Sequence, residues 1–162
     1  RAAAAMVPWR FIGGRSMLWL KTLERLRDAL KAADIADEVI IGGYAPTDVR
    51  PNPEGKGFIY LQRDRERPED TDMIPSLSVL CTIDTWVRSD SKDSADGYAA
   101  IARLESGVEE TLRKFARETT WMDHDVQMLR LRITETAGDG DSMRPCVGSR
   151  FSVEITLCRL TD

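Results

Sequence analysis

LSVLCTIDTWVR, residues Leu77 to Arg88, alternates along its whole length. Leu77, Val79, Cys81, Ile83, Thr85 and Val87 point one way, and Ser78, Leu80, Thr82, Asp84, Trp86 and Arg88 the other. A period of two with one mostly polar side describes a half-buried β-strand, because successive side chains leave opposite faces of the pleat. On its C-terminal side the polar run SDSKDS offers Ser91, Asp93 or Ser94 as a helix N-cap. Tyr98, Ile101, Leu104, Val108, Leu112 and Phe115 then recur at helical spacing and predict a long amphipathic helix to about Thr119. Gly107 lies inside that helix and costs about 1 kcal/mol relative to Ala. Close packing on a neighbour is the simplest reason for it.

On the N-terminal side, Asp64–Ser76 is dominated by charge, carries Pro68 and Pro75, and has no apolar period. It reads as a long connection that is functional, disordered or an interface arm. FIYLQR, Phe58 to Arg63, is a second strand, and the Pro- and Gly-rich Ala45–Gly57 before it is a loop. Val39 to Ile41 is a short β-branched strand that bends at Gly42-Gly43. Leu23, Leu26, Leu30 and Ala33 mark one face of an amphipathic helix over Leu18–Asp34. Towards the C-terminus, Val126–Glu135 reads as a strand with Leu129, Leu131 and Ile133 on one side and Arg130 and Arg132 on the other. Gly148–Leu160 alternates Phe151, Val153, Ile155 and Leu157 with Ser152, Glu154 and Thr156, and a long hairpin connection with Gly138, Gly140 and Pro145 joins the two.

The predicted order is α-β-β-β-α-β-β, an α+β domain with two helices packed on one face of a mostly antiparallel five-stranded sheet. The other sheet face would carry Thr82, Asp84, Arg130, Arg132, Ser152, Glu154 and Thr156. It is either plainly solvated or turned towards a channel or partner. The irregular stretch 1–16, with Pro8, Gly13 and Gly14, is set aside as an upstream remnant or disordered extension, and the single domain is expected over 17–162.

Composition bounds the partners. At 162 residues a domain buries about 70% of its extended-chain surface, so no metal or disulfide is needed as a staple. A net charge of −4 argues against nucleic acid as the primary ligand, since non-specific affinity comes from Lys and Arg neutralising phosphates. Cys81, Cys146 and Cys158 are widely spaced and fit free thiols in a reducing compartment. No apolar run approaches the roughly 20 residues of a membrane span, so no membrane partner is expected.

Chemistry is sparse. His124 is the only histidine and sits between Asp123 and Asp125 just before a strand. A closed metal site needs about four ligands, and no second His or Cys pair supplies them, so a solvated turn is the better reading. Asp139-Gly140-Asp141 lacks the ligand series of a calcium loop, and Gly42-Gly43 leads into a Pro-rich loop where a phosphate site needs a helix N-terminus. No catalytic residue, metal or cofactor is expected, and the chain is read as not an enzyme. Trp86 and Trp121 stand out, because Trp86 lies on the polar side of the best strand. Two readings remain for it: an interface anchor, or a ring covered by a neighbouring loop or by the N-terminal segment.

The element order, with LKTLERLRDAL (Leu20–Leu30), CTIDTWVRSDSKDSADGYAAIARLESGVEETL (Cys81–Leu112) and RFSVEITLCRL (Arg150–Leu160), resembles the tail terminator and minor tail proteins of long-tailed bacteriophages and prophages. The resemblance is one of pattern over most of Met17–Leu160, without a diagnostic short motif. It implies an α+β subunit of a six-membered ring that caps the tail tube, joins it to the head connector and has no catalytic residues. The implied partners are further copies of the chain, the tail-tube protein and the head-side connector, with DNA only in passage. The implied location is the virion tail, assembled in the host cytoplasm. Contacts would fall on Arg65, Glu66, Arg67, Glu69, Asp70, Asp72, Met73 and Ile74 of the charged arm, with Trp86 and Arg88 beside it. Asp84, Arg130, Arg132 and Glu154 would then face the lumen. Another neck or tail-completion subunit, or a small-ligand-binding regulatory domain, are the alternatives.

Overall fold

The computed structural model describes residues 15–43, 51–69, 76–139 and 144–160. Helix α1 spans Arg15–Ala32 and is followed by strands β1 (Glu38–Ile41), β2 (Phe58–Glu69) and β3 (Ser76–Arg88). Helix α2 (Ser94–Glu118) then precedes β4 (Trp121–Asp123), β5 (Val126–Gly138) and β6 (Cys146–Arg159). Among the described residues no helix is long and apolar enough to cross a membrane.

Both helices form where apolar side chains recur at three and four. Leu18, Leu23, Leu26 and Leu30 of α1 are buried, and the Thr22 hydroxyl is satisfied by the Leu18 carbonyl at 2.9 Å. Asp34 takes a left-handed φ of 52°, which ends the helix, and Ala33, expected on the buried face, lies exposed beyond its last turn. Asp93 caps α2 by accepting a hydrogen bond from the Ala95 N–H at 2.9 Å. Ile101, Leu104, Val108, Leu112 and Phe115 are buried as expected, whereas Tyr98 is exposed and the neighbouring Gly97 takes the buried position on the helix.

The sheet differs from the expectation. It has six strands in the order β1-β2-β3-β6-β5-β4, and β1 runs parallel to β2 while every other pair is antiparallel. A parallel pair cannot be closed by a tight hairpin, since the chain must return to its starting end through about a dozen residues or more. The long Pro- and Gly-rich stretch between Ile41 and Phe58 is that return. The sixth strand, β4, is only three residues long, too short to show a period. The supposed arm is also half strand: β2 continues through Glu69, past a register shift between Arg63 and Arg65.

β5 carries a second correction. Bulges shift its register between Met128 and Arg130 and again between Ile133 and Glu135. A bulge inserts one unpaired residue and breaks the alternation. Leu129 is that extra residue and is exposed, while Leu131 and Ile133 pack against the core.

The core lies between the helices and one face of the sheet. Leu77, Val79, Cys81 and Ile83 of β3 sit with Phe151, Val153, Ile155 and Leu157 of β6 under the leucines of α1 and the apolar stripe of α2. Full burial of each such aliphatic side chain contributes roughly 1.5–3 kcal/mol. A Cβ on Gly107 would come 3.1 Å from Ile35 Cγ2, so the glycine does permit close approach of α2 to the α1–β1 connection. On the other side of α1, the Arg63 guanidinium lies 4.4 Å from the centre of the Trp19 ring and ties β2 to the helix.

Candidate interaction surface

The helices cover one face of the sheet and leave the other to polar side chains. Antiparallel register sets them in transverse rows, because residues directly opposite share a face. One row runs Arg67, Ser78, Thr156, Arg130, and the next Arg65, Leu80, Glu154, Arg132. A third places Tyr60, Asp84 and Arg150 side by side.

This face is not simply solvated. Glu154 is only 3% exposed and Asp84 7%. Each is covered by guanidiniums from neighbouring strands that lie over the carboxylate with their outer surfaces in water. Arg132 donates to Glu154 Oε2 through Nε at 2.9 Å and Nη2 at 2.7 Å, while Arg67 and the Ser78 hydroxyl donate to Oε1 at 3.3 and 3.2 Å. Arg150 closes on Asp84 in the same forked way at 2.6 and 2.9 Å, with Gln62 adding a bond at 3.1 Å. Burial pushes the Glu154 carboxyl up, but Arg132, Ser78 and Arg67 together hold it below the usual carboxylate range. The bond to Asp84 raises the Arg150 guanidinium further. Among the described residues the buried Thr156 hydroxyl, between Ser78 and Arg130, has no hydrogen-bond partner.

The expected site residues divide accordingly. Asp84, Arg132 and Glu154 share this face, held in ion pairs, and Arg130 is exposed beside them. Arg65, Arg67 and Glu69 stand on its β2 side, and Glu66 pairs with Arg63 at 3.2 Å. Asp70, Asp72, Met73 and Ile74 lie outside the described residues. Trp86 is half-buried with its ring against Gly148, where a Cβ would come 2.5 Å from Cε3, so the glycine makes room for the indole. Arg88 is turned to Asp90 at 2.9 Å, at the end of the strand. Arg150, Ser78 and Gln62 were not anticipated, since only strand register brings them to the two carboxylates.

His124 lies in the exposed turn between β4 and β5, with ligand atoms of Asp123, His124 and Asp125 within 4.8 Å of one another. Both carboxylates already have cations: Lys21 bonds Asp123 and holds it near a pKa of about 2, and Arg159 pairs with Asp125 at 3.2 Å. Cys81 is a deeply buried thiol pushed up to about 12 by burial and by the negative charge of Asp64.

No protein-family model and no curated protein sequence matches the chain. In three dimensions it is similar to a chain in a structure described as the virion of a native gene transfer agent particle. The TM-score is 0.58 at 10% identity, over 86% of this chain and 94% of that one. At that identity the likeness is one of fold.

Proposed function

We propose that this protein is a structural subunit of a phage-like virion, and within that class a tail terminator that closes into a ring, capping the tail tube and joining it to the head connector. The observation that carries the reading is the fold shared, over nearly the full length of both chains, with a component of a gene transfer agent virion. The polar sheet face fits a surface role, since its charges are fixed in place by paired guanidiniums and carboxylates. The proposed role is non-catalytic and uses no cofactor. A ring of about six copies, assembled in the host cytoplasm and carried in the virion tail, is the form it would take, built on a head-to-tail interface.

Negative-stain electron microscopy of the purified protein, alone and mixed with tail tubes lacking their terminator, tests this. Rings of one size, or a cap on one tube end, are expected. Globules that ignore the tubes would sink the terminator reading. A neck or tail-completion role would instead show as binding to connector particles and not to tubes.

A further inference from the structure

The register of the polar face draws four arginines into a compact field. Arg67 and Arg130 stand at the ends of one row, flanking Ser78 and Thr156, and Arg65 and Arg132 at the ends of the next, flanking Leu80 and Glu154. Neighbouring strands lie about 4.8 Å apart and alternate residues about 7 Å apart, so the field measures roughly 14 by 7 Å. All four arginines are exposed, whereas the one carboxylate between them, Glu154, is almost wholly buried. The chain carries a net charge of −4, so this outward positive layer runs against its overall charge. Two features leave room for a further anion. Among the described residues Arg130 makes no ion pair, and beside it the buried Thr156 hydroxyl has no hydrogen-bond partner. Folded proteins leave few such groups unmet. Arg65 and Arg67 also hold Asp64 and Glu69 at 3.3 and 3.6 Å, in exposed pairs of a kind that contributes little.

We propose that this field is a docking site for an extended acidic segment of a partner protein, with carboxylates on alternate residues seated one on each row. The first carboxylate lies between Arg67 and Arg130 and takes the Thr156 hydroxyl as the Arg130 side chain swings over it. The second lies between Arg65 and Arg132. Alternate side chains of an extended segment repeat about every 7 Å, which is the step between the rows. Arginine clusters recognise acidic motifs because the planar guanidinium offers forked donors to a carboxylate. Arg132 is already fixed by its two bonds to Glu154, so little of its freedom is lost on binding. The field is also short. Glu69 stands in the row beyond Arg67, and Glu135 in the row beyond Arg132, which closes it at both ends with carboxylates. A nucleic-acid strand, with a charge about every 3.4 Å of axis, would run its phosphates onto them. A protein segment with two carboxylates ends between them.

Docking of this kind goes beyond the ring reading and does not depend on it. Fluorescence anisotropy of the full chain with a short labelled peptide alternating Glu and Ser is the test, with the matching Gln peptide and a short labelled DNA duplex as comparators. The Glu peptide should bind, more weakly as salt rises, and the Gln peptide should not. Arg65→Glu and Arg130→Glu should each weaken binding roughly tenfold or more while the melting temperature holds, because the Glu154 carboxylate is held by other residues. Thr156→Val should also weaken binding without lowering the melting temperature, since it removes an unpaired hydroxyl and no hydrogen bond. No preference for the Glu over the Gln peptide, or arginine variants that bind like the parent, would overturn the docking. Full affinity in Thr156→Val would remove the hydroxyl from the site. A duplex bound as tightly as the Glu peptide would overturn the protein partner and give the face to nucleic acid.

Discussion

Arg132 Nε and Nη2 both donate to one oxygen of Glu154, across adjacent strands β5 and β6, over a carboxylate that is almost wholly buried. The arginine is half in water and the glutamate is not, so the two residues depend on the pair unequally. Removing Arg132 strands part of a buried charge, with Arg67 and Ser78 left to hold it. Arg132→Ala is expected to cost about 1–3 kcal/mol. Replacing both residues by Leu should cost less than Arg132→Ala alone. Urea unfolding of the three variants checks the order.

The same carboxylate gives the protein an acid-sensitive component. Its folded pKa is lowered, so its stabilising contribution is present above the unfolded value of about 4.3 and is lost as pH falls through the folded value. Glu154→Gln should therefore flatten the decline of stability below about pH 4.5. Unfolding free energies measured from neutral to acid pH read this directly. An unchanged slope would mean that other carboxylates carry the acid response.

Asp123, held by Lys21 of α1, should titrate near 2 by carboxyl NMR, and in Lys21→Ala it should return towards the ordinary value of about 3.9. Because the pair is partly exposed, its contribution to stability is screened, and Asp123→Asn is expected to cost no more than about 1 kcal/mol. That contribution is likewise lost as pH falls towards 2.

Gly148→Ala would drive a methyl group into the Trp86 ring. A loss of about 1–3 kcal/mol is expected, which lowers the melting temperature by about 2–4 °C per kcal/mol in a domain of this size. Trp86→Leu in the same chain should return part of the loss. If Gly148→Ala alone melts like the parent, the indole is free to move and the glycine is not there for it.

Gly107→Leu would meet Ile35 in the same way and should destabilise, with Ile35→Ala relieving it. Thermal melting of the single and double variants is sufficient.

Local pattern exposed most of the elements. Leu77–Arg88 and Phe151–Leu157 announced β3 and β6 because their inward positions are apolar throughout, and Ile101–Phe115 announced the buried stripe of α2. Pattern failed where charge or shortness hid a strand. Asp64–Glu69 is strand despite its run of charges, because an outer strand with both faces in or near water needs no apolar alternation. Trp121–Asp123 is too short to show any period, and the bulge at Leu129 reversed the phase that Leu129, Leu131 and Ile133 imply.

The sequence by itself determined two amphipathic helices, a sheet with one apolar face, and a second face of alternating polar residues, because periodicity is a property of neighbours along the chain. Only the tertiary structure decided what that second face is. The pairing of β3 with β6 and of β6 with β5 brings Arg150 to Asp84 and Arg132 to Glu154, and so turns alternating charges into buried, clamped ion pairs. Strand register between distant segments is set by the packing of the whole core, and no local stretch of residues encodes it.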